Sequence, residues 1–447
     1  MKFQLNAVFI LTLLTAATVG EHRQQVVAAS SGGSWHANFT PAHIEAHMDA
    51  EVHALLELRN IDISQPNYSF QLSSENPNLA AVSHIIRPEN IDVNASWSGN
   101  ITVQALFLGE TYVYVELINT LTNTTEKSPN NLKLTIIRKQ RIIDHVFTGS
   151  VALLVSLLYI NFGAALDLSV LRGLITRPVG PSIGFVMQFL LMPVLSYGLG
   201  LLIFPGAVEM QLGLFFTGVS PSGGASNIWA VILGGNINLS VLMTTISNFA
   251  AFGMMPLWIF TLGQLIFDRA NMHVPYTNIA TFAIALIVPL GIGVAIQKCS
   301  PRLTRILVRL LKPISTCLII FIIIFAIATN LYLFELFSWQ IVLSGLGLPW
   351  LGYICAWFLA KAFRQNNIDA LTIAIETGIQ NTGIAIFLLR FSLPQPQADL
   401  TTVIPVAVAI MTPFPLLALY IYKRCTARTI KEGIAVGESQ HIVRHDS

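Results

Sequence analysis

Ala374-Ile375-Glu376-Thr377-Gly378-Ile379-Gln380-Asn381 is the stretch that decides the fold. It sits inside an apolar run long enough to cross a bilayer. Yet it carries a carboxylate, two amides and a glycine within about two helical turns. A charged side chain at mid-membrane depth costs roughly 2.5–3.5 kcal/mol on insertion scales, so such a residue points to function before structure. Gly378 and the β-branched Thr377 weaken the helix there, which frees carbonyls to coordinate. Glu376 is therefore read as the centre of a cation site, and the rest of that site is sought along the chain.

Composition sets the class. Of 447 residues, 53% are hydrophobic and 11% charged, against about 25% charged in an average soluble domain. Most of the chain belongs in a lipid bilayer. The net charge of +2 comes with no basic stripe and interleaved aromatics, so nucleic acid is not an expected partner. Cys299, Cys317, Cys355 and Cys425 are scattered without metal-ligand spacing.

The first 20 or so residues read as a signal peptide: Lys2, the apolar run Ala7 to Ala17, then the small-residue site Thr18-Val19-Gly20. From Glu21 to Arg141 polar residues return and apolar ones alternate. Ile101 to Phe107, Thr111 to Leu117 and Leu132 to Ile136 all show period two, with turn residues between them. Short strands at this spacing predict a small all-β, sandwich-like domain without a disulfide. Sequons begin at Asn38, Asn67, Asn94, Asn100 and Asn123, which predicts a glycosylated domain outside the cell or in a lumen. The triplet at Asn238 falls in the membrane region and is expected to stay unmodified.

From residue 145 to about 425 the chain reads as an all-α polytopic membrane domain. Apolar windows fall at about 146–166, 180–204, 210–235, 238–264, 276–297, 312–333, 339–361, 369–392 and 399–422, about nine spans in all. With the β-rich domain outside, the inner segments hold Arg172, Arg177, Lys298, Arg302, Arg305, Arg309, Lys312, Lys361, Arg364, Lys423, Arg424, Arg428 and Lys431. The outer connections hold little beyond Arg269 and Arg390. This positive-inside bias agrees with the sequons and puts the C-terminus in the cytoplasm. The polar tail, about 426–447, is expected to be disordered.

Three further polar places stand in the apolar spans. Ser220-Pro221-Ser222-Gly223-Gly224-Ala225-Ser226-Asn227 combines a missing donor with paired glycines, so a helix should break there. A kink or a close helix contact would also suit such a stretch. Ser240 and Thr244 are four apart and share a helix face, with Thr245 and Ser247 beside them. Hydroxyls of this kind also bond their own helix backbone. Gln188, before Leu190-Leu191-Met192-Pro193, is the third, and a lone Gln often serves as interhelical glue. Taken together they suit one chemistry. A small alkali cation wants several oxygen donors and a formal negative charge, and one broken helix in each half is the mark of a transporter built from inverted repeats. No nucleophile with its base, metal-ligand spacing or phosphate loop supports an enzyme.

These residues carry a resemblance. Pro221 to Asn227, Gly235 to Ser247 and Ala251 to Leu257 resemble the bile acid:sodium symporter family. Glu376-Thr377-Gly378-Ile379-Gln380-Asn381 is similar to that family's Glu-x-Gly-x-Gln-Asn signature, and Gln188-Phe189 with Met192-Pro193 to a third motif. The resemblance covers about 145–425 and implies a panel domain and a core domain, the latter with two helices unwound where they cross. It implies one Na+ site at Ser226, Asn227, Ser240, Thr244 and Glu376. A second would use Gln188, Glu376 and Gln380 with the carbonyls of Thr377 and Ile379. Substrate would lie near Asn381. Ser222 stands where the family commonly has the first glycine of Pro-Gly-Gly. The long N-terminal domain resembles that of a subgroup carrying an ectodomain.

The expected function is sodium-coupled symport of a small amphipathic organic anion, bile-acid-like or a sulfated steroid, across the plasma membrane. The alternative is a non-transporting membrane receptor or adhesion protein acting through its ectodomain. A scaffold has no need of Glu376, Gln188 and Gln380 together inside a bilayer, and that separates the two.

Overall fold

The structure is a computed structural model, and it describes residues 35–61, 68–82, 85–87, 91, 96–119, 124–139, 142–165, 178–270, 272–329 and 338–426. The expected signal peptide, the tail beyond residue 426, Arg172 and Arg177, and the sequons at Asn67, Asn94 and Asn123 lie outside these residues. Apart from Leu108–Glu110, which groups with the second, two compact units divide between Thr135 and Ile136.

The first unit is β-rich. Its strands are β1 (His36–Thr40), β2 (His43–His47), β3 (Glu51–Arg59), β4 (Tyr68–Ser74), β5 (Ala80–Val82), β6 (Ile85–Ile86), β7 (Trp97–Ala105), β8 (Gly109–Asn119), β9 (Thr124–Lys127) and β10 (Leu132–Ile137). One sheet has the order β1-β3-β7-β5. The other runs β2-β10-β8-β4-β6, with β9 on β8. Alternation in the sequence becomes alternation in burial: Ile101, Val103 and Ala105 of β7 and Val113 and Val115 of β8 are fully buried while their neighbours face outward. The three period-two runs read from the sequence lie on β7, β8 and β10. Asn38 on β1 and Asn100 on β7 are exposed and sit opposite Glu57 and Leu55 of β3, so both stand on one outer face.

The second unit is helical. Its helices are α1 (Ile142–Ala165), α2 (Val179–Ile203), α3 (Val208–Val219), α4 (Ala225–Ile232), α5 (Ile237–Arg269), α6 (Tyr276–Cys299), α7 (Pro301–Thr329), α8 (Trp339–Ala362), α9 (Asn367–Gly378), α10 (Thr382–Ser392) and α11 (Gln397–Thr426). Among the described residues six helices are long and apolar enough to cross a membrane: α1 over Asp144–Ala164, α2, α5, α6, α8 and α11. The runs expected at about 210–235 and 369–392 are each divided into two shorter helices, α3 with α4 and α9 with α10. Large side chains such as Ile284, Val288, Ile324, Phe358 and Tyr422 face outward, as a bilayer allows.

Helix α1 packs along α6 and α7, and α8 along α9. The α1–α6 contact is close because both partners lack a side chain where they touch. A Cβ on Gly163 would strike the backbone of Leu290 and Val294, and one on Gly293 that of Ile160 and Ala164. Small residues let membrane helices approach in this way.

A buried ionic group lies within the helical unit. Arg138 pairs with Asp144 of α1 at 2.8 Å and with Asp399 of α11 at 3.5 Å, and Arg390 of α10 reaches Asp399 at 3.2 Å. Asp399 is 1% exposed. The two arginines and two carboxylates balance in charge.

Candidate functional site

Two helices are interrupted, and the interruptions pair with each other. α3 stops at Val219 because Pro221 has no N–H to continue the ladder. The Ser220 hydroxyl turns back to the carbonyl of Phe216 at 2.7 Å. α9 stops at Gly378, Ile379 is extended, and Asn381 caps α10 by accepting from the Ile384 amide at 3.3 Å. Backbone groups freed by one break are satisfied by the other. Gly223 N donates to Ile379 O and Asn381 N to Pro221 O, both at 2.8 Å, and Ser222 faces Gln380 as an antiparallel bridge. Unsatisfied peptide groups inside a bilayer cost several kcal/mol each, and this pairing removes that cost. Gly223 is required by closeness: a Cβ there would lie 2.8 Å from Gln380 O.

Glu376 is in the last turn of α9 and is 1% exposed. Its Oε1 accepts from the Ser240 hydroxyl, and its Oε2 accepts from Ser222 at 2.8 Å and Thr244 at 2.7 Å. The Ser240 hydroxyl also lies 2.8 Å from Asn227 Oδ1, an alternative acceptor for its one proton, and Asn227 Nδ2 donates to Thr244 at 3.2 Å. Ser226 is fully buried, its hydroxyl 3.5 Å from that of Ser222. Thr245 bonds the Val241 carbonyl of its own helix instead.

Position follows from the start of α5. Asn236 caps it by accepting from Leu239 N, while its own Nδ2 donates to Asp369 and its N–H to Thr372, both at 2.7 Å. This pins the first turn of α5 to α9. Ser240 and Thr244 then look across at Glu376, one turn beyond Thr372.

Gln188 comes from α2. Its Nε2 donates to Ser220 O and to Gln380 Oε1, each at 2.7 Å, and Gln380 Nε2 donates to Thr377 O at 2.6 Å. Gln188 occupies a π turn, Met187–Leu191. Pro193 has no N–H for the carbonyl of Phe189, four residues before it, and the Trp258 indole supplies one at 2.7 Å. Such turns are frequent at functional sites. A cleft beside the carboxylate is lined by Gln188, Ser222, Ser247, Glu376 and Thr377. The carbonyls of Thr377 and Ile379 each accept one hydrogen bond and retain a second lone pair.

A separate recess is lined by Gly223, Gly224, Ala225, Trp229, Gln380, Asn381, Thr382 and Thr412. The N-termini of α4 and α10 both open on it, and helix N-termini favour negative charge. Asn381 is 7% exposed, and its Nδ2 has no hydrogen-bond partner.

All ten expected membrane-site positions thus lie at or beside the paired interruptions. Sequence reading missed the direct contact of Ser222 with the carboxylate, the bond from Ser222 N to the Ser247 hydroxyl at 2.9 Å, the Trp258 indole and the ionic group of Arg138, Asp144, Arg390 and Asp399. For the ionic group the signal was present as charge within or beside apolar runs. For Ser222 it was the serine in a place where glycine was expected.

The chain is similar to known proteins. Residues 152–335 match the Sodium Bile acid symporter family. The chain is 31% identical to the human (Homo sapiens) "P3 protein" over 272 residues, which cover 60% of this chain and 57% of that protein. It is 32% identical to the "Ileal sodium/bile acid cotransporter" of Oryctolagus cuniculus over 265 residues, 59% of this chain and 74% of the relative. It is 31% identical to the "Sodium-dependent organic anion transporter" of Bos taurus over 261 residues, 57% of this chain and 67% of the relative. The matched region thus spans little more than half the length of the P3 protein.

Proposed function

This chain belongs to the sodium bile acid symporter family, and from that premise we propose that it is a sodium-coupled symporter of small amphipathic organic anions, bile-acid-like or sulfated-steroid-like. The single observation that carries the reading is Glu376. It is a buried carboxylate in the bilayer, paired with no lysine or arginine among the described residues, and ringed by hydroxyl oxygens. A bare charge without a counter-ion is too costly to keep in such a place, so the carboxylate must take up a cation or a proton, and the ring of oxygens around it suits the cation.

In this reading one Na+ binds among Ser226, Asn227, Ser240, Thr244 and Glu376. A second binds among Gln188, Glu376 and Gln380 with the carbonyls of Thr377 and Ile379. Hydroxyl, amide and carbonyl oxygens with one formal charge suit a hard monovalent ion that must also leave again. The organic anion binds in the recess beside Asn381, where two helix N-termini and the free Nδ2 meet a carboxylate or sulfate. The paired interruptions form a wall common to both places, so cations on one side steady the peptide groups that receive the anion on the other. Two Na+ with one monovalent anion carry a net positive charge, so transport is electrogenic and driven inward by a negative interior.

The fuller architecture belongs to the same proposal. It has about nine spans as inverted repeats, the β-rich domain outside the plasma membrane with glycans at Asn38, Asn67, Asn94, Asn100 and Asn123, a cleaved signal peptide, and the C-terminus in the cytoplasm. The test is uptake of labelled taurocholate and steroid sulfates by cells expressing the chain, in sodium medium and with choline in its place. Uptake that depends on sodium is expected; equal uptake in both media ends the coupling claim.

A further inference from the structure

Of the hydroxyls around the Glu376 carboxylate, three lie between it and a second acceptor. Ser240 lies between Oε1 and Asn227 Oδ1, the latter at 2.8 Å. Thr244 lies between Oε2 and the carbonyl of Ser240, at 2.7 and 3.0 Å. Ser222 lies between Oε2 and the main-chain carbonyl of Glu376 itself, both at 2.8 Å. A hydroxyl has one proton and two lone pairs, so it donates to one of these acceptors at a time. With the proton toward the carboxylate it stabilises the bare charge. With the proton toward the second acceptor it turns a lone pair into the space beside the carboxylate.

Of these three, Ser240 and Thr244 are already expected to hold a cation. Ser222 has the same construction, bonds the same oxygen as Thr244 and is just as buried. It also lines the cleft beside the carboxylate. We propose that Ser222 is a further oxygen ligand of the cation at Glu376, its proton turning from Oε2 to the Glu376 carbonyl as the ion arrives. This rests on the sodium reading above. It gives the first site a donor from the interrupted segment itself, so ion binding bears directly on the stretch that pairs with Gln380. A chain with glycine at this position lacks that donor and holds the ion through the remaining ligands alone.

The test uses the purified full-length chain without substrate. The thermal unfolding midpoint is followed as Na+ replaces choline at constant ionic strength. Wild-type protein is expected to gain stability with Na+ and not with K+. Ser222→Ala and the near-isosteric Ser222→Cys, whose thiol is a poor partner for a hard ion, raise the half-saturating Na+ concentration by about tenfold. Ser222→Thr, which keeps the hydroxyl, restores the wild-type value; if it does not fold, the Ala and Cys pair decides. A role confined to packing lowers the midpoint in choline and leaves the half-saturating concentration where it was. That outcome in both variants, with wild type still responding to Na+, overturns the proposal alone. A wild-type protein indifferent to Na+ removes the sodium reading as well.

Discussion

Gln188 and Gln380 join their side-chain amides at 2.7 Å, linking the π turn of α2 to the interruption that follows α9. Gln188 holds the other interruption too, through the Ser220 carbonyl at 2.7 Å. Gln188→Leu removes both donors and leaves two buried acceptors short of partners. The expected loss is about 1–3 kcal/mol, seen as a lower unfolding midpoint in detergent, and stabilisation by Na+ should weaken with it. An unchanged midpoint would mean that the two interruptions are held by their own backbone pairing.

Glu376→Gln keeps an acceptor for Ser240, and the new amide can donate to Ser222 and Thr244 once their lone pairs turn toward it. The protein should therefore fold. The formal charge is gone, which in a low-dielectric site is worth several kcal/mol toward a cation. Sodium stabilisation is expected to fall by more than about a hundredfold in apparent affinity, and sodium-dependent uptake to disappear. Near-normal sodium dependence in this variant would remove Glu376 from the mechanism.

Gly223→Ala places a methyl group 2.8 Å from Gln380 O and 3.1 Å from its carbon. These are backbone atoms that cannot swing aside. Overpacking of this kind costs about 1–3 kcal/mol, and here it forces the paired interruptions apart. Gly149→Ala is the control. That glycine is exposed on α1 with nothing within 4 Å of an added Cβ, and the change is expected to be neutral or to stabilise by about 0.5–1 kcal/mol. Comparing the two midpoints separates local crowding from a general dislike of substitution.

Asp399→Asn leaves Arg138 and Arg390 facing a neutral group in a buried place. Breaking one partner of such a group costs about 3–5 kcal/mol. The expected outcome is a marked drop in the fraction of protein that stays monodisperse after heating, without a matching change in the Na+ concentration that half-stabilises the survivors. A shift in that concentration would tie the ionic group to the cation site.

Much of this arrangement was legible in the sequence, for physical reasons. Glu376 stood out because a bilayer penalises charge. Ser240 and Thr244 could be placed on one face because a helix repeats every 3.6 residues, and the β-rich runs because a strand repeats every two. The break at Pro221 followed from a missing N–H. What periodicity cannot reach is a side chain on a stretch that is neither helix nor strand, so the direction of Ser222 was hidden. Trp258 was hidden as well, since an indole looks like any apolar residue until the Phe189 carbonyl, which Pro193 cannot serve, is found beside it. The partners of Asp399 come from distant segments, with no spacing to connect them.

Asn38 and Asn100 flank β3 on one outer face. If both sequons are used, Asn38→Gln and Asn100→Gln each remove one endoglycosidase-sensitive step on a gel, and the double variant removes two. A partner protein would then have to approach the β-rich unit from elsewhere, because sugars on the two strands that flank β3 cover that face.

The mutual pairing of the two interruptions also bears on how the chain is made. Pro221 and Gly223 are synthesised long before Ile379 and Asn381, the residues that satisfy their peptide groups. Until the late segment leaves the ribosome, the early one cannot settle in lipid as a finished span. It must wait in the translocon, in water, or in the care of another protein. A chain cut short before α9 would thus be a substrate for quality control, however well its earlier helices insert.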